Sequence, residues 1–134
     1  GAVFETTEVG SGVNDFEIES AAINAFTSYE IGAWLFVGEY TMTVHDVSTV
    51  GELEIDSFLM MANCSYSDRA SITGRVSHVD ADDILEATKF TLAHNYAFTN
   101  NLLLVAEISA VDYEFEGGAD GETLEGALEL LFTF

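Results

Sequence analysis

The stretch Thr123–Phe134 reads TLEGALELLFTF and alternates between two kinds of side chain. The residues between its apolar positions include Glu125, Glu129 and Thr133, which are polar. Because successive side chains of a β-strand point to opposite faces, this pattern predicts a strand with one apolar and one polar face. The apolar face of this strand would carry Leu124, Gly126, Leu128, Leu130, Phe132 and Phe134.

The same alternation recurs along the whole chain, with turn residues between the segments, and no segment has a convincing helical period. We therefore expect an all-β protein: a single domain over residues 1–134 that forms an up-and-down antiparallel β-barrel of about eight strands. Residues 1–9 form the weakest of the eight. The predicted strands are Ala2–Val9, Asp15–Ser28, Ala33–His45, Glu54–Tyr66, Ala70–Ser77, Leu85–Phe98, Asn101–Tyr113 and Thr123–Phe134.

Composition narrows the classes of partner and environment. The 134 residues include 24 acidic and only three basic side chains, for a net charge of −21, so nucleic acid is excluded as a partner. Yet 49% of the residues are hydrophobic, which is too many for an acidic disordered tail. There is no apolar run of about 18 residues, and we expect no transmembrane helix. The single cysteine, Cys64, excludes a disulfide within the chain.

The acidic residues and the longer connections are predicted to lie at the same end of the barrel. Most acidic residues lie in or near the predicted longer connections, residues 46–53, 78–84 and 114–122, whereas residues 29–32, 67–69 and 99–100 form short turns. In an up-and-down meander alternate connections lie at the same end, so one end would be acidic. A barrel whose middle lies in hydrocarbon has this character, because a charge on its lipid face costs several kcal/mol. The pattern predicts a barrel of the outer-membrane type.

Aromatic residues near the short turns support the same interpretation. Such residues form girdles at the membrane–water interfaces of transmembrane barrels. The alternative is a soluble lipocalin-like barrel or sandwich that has these rings in its core and binds an apolar ligand. The predicted girdle consists of Trp34, Phe36, Tyr66, Tyr96, Phe98, Phe132 and Phe134.

Five charged side chains fall on the inward-facing positions of the predicted barrel. Two of them, Glu107 and Glu129, lie on neighbouring strands and are expected to be close, which admits a cation between them. We favour a salt-linked polar plug, because an eight-stranded barrel has room only for side chains and buried charges must be paired. This predicted lumen network is Glu39, Arg75, Lys89, Glu107 and Glu129.

The acidic connections also offer hard oxygen ligands for calcium. Their spacing does not match the EF-hand loop, so the sequence favours a solvated acidic rim over a calcium site. The candidate ligands are Asp80, Asp82, Asp83, Glu116, Asp120 and Glu122. Catalysis has little support, since the histidines lack paired zinc spacing and no serine lies in a Gly-x-Ser-x-Gly context. We predict that the protein is not an enzyme and needs no cofactor.

Several segments resemble proteobacterial general porins, in the C-terminal half of that family. They are Ala33–Tyr40 (AWLFVGEY), Phe58–Asn63 (FLMMAN), Ala70–Ser77 (ASITGRVS), Lys89–Glu107 (KFTLAHNYAFTNNLLLVAE) and Ala127–Phe134 (ALELLFTF). The resemblance implies an integral outer-membrane protein of a Gram-negative bacterium, porin-like, either a passive channel or a structural surface protein with an acidic, cation-favouring rim. Its implied partners are outer-membrane lipid, lipopolysaccharide and the barrel-assembly machinery, which would recognise the last strand. The family has about sixteen strands, and this chain has room for eight and lacks an arginine ladder.

A different class of function stays open on the sequence. Ala2–Val9 is set off by Gly10, Ser11 and Gly12, and could leave its own sheet to complete that of a neighbour. The protein would then be an extracellular assembly subunit that polymerises by strand addition at the cell surface. Both interpretations allow a homo-oligomer.

Overall fold

The computed structural model describes residues 2–11, 16–47, 51–82 and 84–133, with side chains from Ser20 onward. These residues form eight β-strands. They are β1 Ala2–Ser11, β2 Phe16–Ile31, β3 Trp34–Val47, β4 Gly51–Ser67, β5 Ala70–Ala81, β6 Leu85–Thr99, β7 Leu102–Phe115 and β8 Ala119–Phe132.

The strands form one sheet in the order of the chain. Each strand pairs antiparallel with the next, from β1–β2 through to β7–β8. The predicted all-β, antiparallel, up-and-down architecture of eight strands is therefore confirmed. Alternation of apolar and polar residues was a sufficient signal, because each strand has two different environments on its two faces.

The predicted closure into a barrel is wrong for this structure. Within the described ranges no pairing joins β1 to β8, so the sheet is open and ends at two unpaired strands. Closure depends on strand tilt and on the stagger between the first and last strands. The alternation of side chains along a strand determines neither the tilt nor the stagger.

Most of the strands are longer than the sequence predicted, and the connections are shorter. β3 continues to Val47, β5 to Ala81 and β7 to Phe115, while β8 begins at Ala119. The acidic residues assigned to loops are thus mostly in strands, because backbone pairing continues past the apolar part of the sheet. Residues 116–118 form a tight turn, with positive φ angles of 111° and 86° at Gly117 and Gly118. Such angles strain any residue with a Cβ.

The first strand is part of the sheet. The ten residues of β1 pair with β2 in a continuous register from Ala2↔Ala25 to Ser11↔Phe16. The segment proposed as a donor strand thus pairs within its own chain here. Nowhere in the described residues is there a helix with the length and hydrophobicity needed to cross a bilayer.

The strand register sorts the side chains onto two faces, which we call the apolar face and the polar face. One row of the apolar face runs directly across six strands: Phe36, Ala62, Gly74, Leu92, Ile108 and Gly126. The next row along the polar face is Val37, Met61, Arg75, Thr91, Ser109 and Glu125.

Exposure shows that the sheet curls around its polar face. Large side chains of the apolar face stand out, with Leu128 74% exposed and even Phe58 39% exposed. On the polar face, Thr91 and Ser109 are only 7% and 4% exposed. A flat single sheet would leave both faces equally open. The polar face is therefore the concave one, and the apolar face is convex.

Candidate functional site

The convex face has a continuous band without Asp, Glu, Lys or Arg. The band spans 11 residues in β2, from Ala21 to Ile31, and nine in β8, from Leu124 to Phe132. At about 3.3 Å per residue, such segments are roughly 30–36 Å long. We call this region the apolar band. In the other strands it comprises residues 34–44, 58–66, 70–78, 88–98 and 102–110.

Small residues create a hollow in the apolar band. Ala62 and Gly74 face each other across β4 and β5, and no heavy atom lies within 4 Å of where a Cβ on Gly74 would be. Larger side chains surround them, and a hollow of about 800 Å³ lies at this row, lined by residues of both faces. Its walls include Phe36, Met60, Phe90, Leu92 and Ile108.

Two histidines interrupt the band, and both have partners. His94 Nε2 lies 2.5 Å from Tyr66 Oη, and the two rings stack with centroids 6.0 Å apart. His78 stacks on Phe58 at 5.1 Å, and its Nδ1 lies 2.9 Å from the hydroxyl of Thr88. The ring of Tyr66, which lies within the register shift between Ser65 and Ser67, thus gives the His94 imidazole a partner on the apolar face.

The predicted girdle residues that the structure describes lie toward the short turns. Trp34 and Phe36 stack with ring centroids 5.9 Å apart, and Tyr96 contacts Phe98 edge-on at 5.1 Å. Phe132 lies opposite Leu102 at the same end of the sheet. Phe134 lies outside the described residues. These rings are between 36% and 60% exposed, and thus are available to the surroundings of the convex face.

The concave face carries hydrogen-bonded polar side chains. Asn63 donates to the hydroxyls of Ser71 and Thr73 at 3.2 and 2.7 Å, and Asn95 donates to Ser71 at 3.2 Å. On the same face, nearer to β1, Asn24 donates to Glu39 Oε1 at 2.7 Å. A network of this kind satisfies polar groups without water and holds neighbouring strands in register.

All five predicted lumen charges lie on the concave face, but they do not form one network. Glu107 and Glu129 occupy diagonal positions, since Glu107 faces Ala127. Lys89 instead contacts Glu125 Oε2 at 3.2 Å, an acid that the predicted network did not include. Arg75 makes no ion pair or side-chain hydrogen bond with any residue that the structure describes.

The acidic residues form ladders at one end of the convex face, a region we call the acidic rim. Glu114 lies directly between Glu86 on β6 and Asp120 on β8. The ladder continues through Asp80 to Asp56, so five neighbouring strands place carboxylates in one row. Like charges directly opposite each other are destabilising. The remaining described residues of the acidic rim are Asp46, Glu52, Glu54, Asp112 and Glu122.

Glu54 lies among other carboxylates, beyond the edge of the apolar band. Partial burial of its carboxyl raises the pKa of Glu54 above the ordinary value of 4.5, and the charges of Asp56, Asp82 and Glu52 raise it further. The carboxylate is thus held in an environment that disfavours its charge.

The calcium candidates do not converge. Asp80 lies at the end of β5, Asp82 in the following turn, Glu116 in the turn after β7, and Asp120 and Glu122 on β8. Asp83 falls outside the described residues. In the described ranges no three His, Cys, Asp or Glu side chains are arranged to hold a metal ion.

The predicted lumen network listed only charged residues and left out the uncharged polar residues of the concave face. Asn24, Asn63, Asn95, Thr91 and Ser109 all share the inward parity of the predicted charges. Alternation along each strand already places these residues on the polar side. Their cross-strand partners become known only from the register.

Comparison of the chain with known protein families, with curated proteins and with solved structures found no match.

Proposed function

We propose that this chain forms part of the wall of an outer-membrane β-barrel, porin-like in character, which acts as a passive channel. The convex face would contact lipid and the concave face would line the water-filled interior. Membrane insertion would depend on barrel-assembly machinery, and the outer leaflet would supply lipopolysaccharide.

One observation carries this proposal: within the strand segments that form the apolar band, every Asp, Glu, Lys and Arg side chain lies on the concave face. The band includes Leu124 and Leu128, which are 73% and 74% exposed. Water-soluble proteins rarely leave so large a continuous apolar surface uncovered. Transmembrane barrels have an outward apolar band about 25 Å tall and polar interiors. If the strands tilt by about 45°, as transmembrane strands do, the segments of the band would cover roughly 21–26 Å of height, close to that value.

The acidic rim gives the proposed pore its ionic preference. Rows such as Asp80, Glu86 and Glu114 would surround one mouth with negative charge. A ring of acids concentrates cations and repels anions. We therefore propose a channel that favours cations at this mouth.

The two edges of the sheet imply that the barrel contains further strands. An open sheet edge does not occur in hydrocarbon, because its unpaired N–H and C=O groups would have no partners. β1 and β8 would thus pair with strands that complete the ring, either of the same polypeptide or of a second copy. Since the sheet has an even number of strands, β8 could meet the β1 of a second copy antiparallel.

Trp34 offers a direct test, because it is the only tryptophan and lies on the convex face, 47% exposed. The protein is reconstituted into vesicles whose acyl chains carry bromine either near the headgroup or at mid-chain. We expect strong quenching of Trp34, greater with the shallow bromine, because Trp34 lies near the short-turn end of the band. Fluorescence unaffected by either lipid would refute the membrane assignment.

A matched control moves the tryptophan by one residue. In the Trp34→Phe, Leu35→Trp variant the indole lies on the concave face at nearly the same height. We expect little quenching by brominated lipid and greater access for a water-soluble quencher. Equal lipid quenching in both proteins would contradict the assignment of the two faces.

A further inference from the structure

Basic side chains are scarce in this chain, and two of the three lie together. Arg75 on β5 and Lys89 on β6 occupy diagonal positions on the concave face, and Arg69 lies in the β4–β5 turn. Lys89 has an acidic partner in Glu125 at 3.2 Å. Arg75 is half-buried and has no such partner within the described residues.

The neighbours of Arg75 contain no acid. This is unexpected in a chain with 24 acidic residues, where a nearby carboxylate would be the simplest way to neutralise a half-buried guanidinium. The residues directly opposite and diagonal to Arg75 on the two adjoining strands are Leu59, Met61, Asn63, Lys89, Thr91 and Ala93.

The residue directly opposite on β6 is also unsatisfied. Thr91 is 7% exposed, and among the described residues its Oγ1 is the one buried side-chain N or O atom without a hydrogen-bond partner. A buried hydroxyl left unpaired is unfavourable. Arg75 and Thr91 thus lie directly opposite each other, and neither has a side-chain hydrogen-bond partner among the described residues.

We propose that Arg75 and Thr91 bind the anionic oxygens of a solute, a carboxylate or a phosphate group, on the concave face. The planar guanidinium fork matches two oxygens of such a group. The Thr91 hydroxyl, whose Oγ1 is buried in this structure, would turn about χ1 to reach a third oxygen. Passage of the solute depends on the proposed pore function, whereas binding of the solute does not.

The site would give the interior a selectivity opposite to that of its acidic mouth. A free anion is repelled at the acidic rim, whereas a solute carrying both charges can pass it and still reach Arg75. We therefore infer that the preferred ligands are small zwitterions or weakly charged oxoacids.

The first test measures binding and needs no conduction. Inorganic phosphate and succinate are titrated separately into the folded protein in zwitterionic detergent, by calorimetry. Arg75→Gln is expected to lower affinity about tenfold or more, and Thr91→Val several-fold. Arg69→Gln, which removes the same charge from a turn, should leave affinity unchanged.

If Arg69→Gln lowers the affinity as much as Arg75→Gln does, the effect arises from overall charge, and the proposed site is wrong. Unchanged affinity in Arg75→Gln would also overturn the site. Unchanged affinity in Thr91→Val would overturn the two-donor geometry. If Arg75→Gln does not fold, Arg75→Lys keeps the charge without the fork and must still lower affinity. Preference for phosphate over succinate, or the reverse, identifies the group.

Conductance of the same proteins in planar bilayers separates this proposal from the proposed function. Binding without conductance would refute the proposed pore and support the anion site. Conductance without binding would refute the anion site and support the proposed pore.

Discussion

The Lys89 ammonium reaches across β7 to the Glu125 carboxylate, 3.2 Å away, so that β6 and β8 are joined over an intervening strand. Lys89 faces Val111, and Glu125 faces Ser109, in the register of β7. The pair thus joins the row of Thr91, Ser109 and Glu125 diagonally to the next row along the concave face.

Removing that ion pair should weaken the sheet only slightly. Because the Glu125 side chain is 54% exposed, we expect Glu125→Gln to lower the free energy of unfolding by less than about 1 kcal/mol. Urea unfolding in detergent measures the change. Glu129→Gln, on the same face and strand but without an ion pair among the described residues, should have a smaller effect. A loss of equal size in a Lys89→Gln background would show that the pair is not the cause.

Arginine at two adjacent positions of β8 should have unequal effects. Leu128 lies on the convex face at the middle of the band, and Ala127 lies on the concave face. We expect Leu128→Arg to destabilise the protein in bilayers by about 2–4 kcal/mol, because the charge must enter hydrocarbon. Ala127→Arg should cost much less. Chemical unfolding from lipid vesicles gives both values, and equal effects would place both side chains in water.

Relieving the acidic ladder should stabilise the sheet. Glu114 has acids directly opposite it on both sides, Glu86 and Asp120, so Glu114→Gln removes two like-charge contacts. We expect a gain of about 0.5–2 kcal/mol at low ionic strength, from roughly 0.2–1 kcal/mol per pair. Salt above about 0.1 M should reduce the gain by screening. A gain that does not depend on salt would exclude electrostatic repulsion as its origin.

Stability should also fall as pH rises through the titration of Glu54. Its pKa in the folded state is raised above 4.5 by burial and by neighbouring acids, so the folded state binds more protons than the unfolded state between those two values. The free energy of unfolding therefore decreases with pH in that window. Thermal unfolding at a series of pH values from 4 upward measures the slope, and Glu54→Gln should make it shallower. A free energy of unfolding that increases with pH in this window would contradict the prediction.

The candidate site was predictable in part, for a physical reason. Charges such as Glu39 and Arg75 share a parity that alternation makes visible, so their common face followed from the sequence. Their partners did not follow, since Lys89 contacts Glu125 through the register and the curl of three strands. Parity also placed Thr91 on this face but gave it no role. Its importance arises from burial and from the lack of a partner, and both are properties of the assembled sheet.

The sequence by itself determined the strand content, the order of an up-and-down meander and the division into an apolar and a polar face. Those properties depend on neighbours along the chain and on the two-residue period of a strand. Only the tertiary structure decided that Gly51–Leu53 and Ala119–Glu122 extend the strands, that five acids stand in one row, and that the sheet stays open. Register, curvature and edge pairing are relations between distant segments, and no local pattern fixes them.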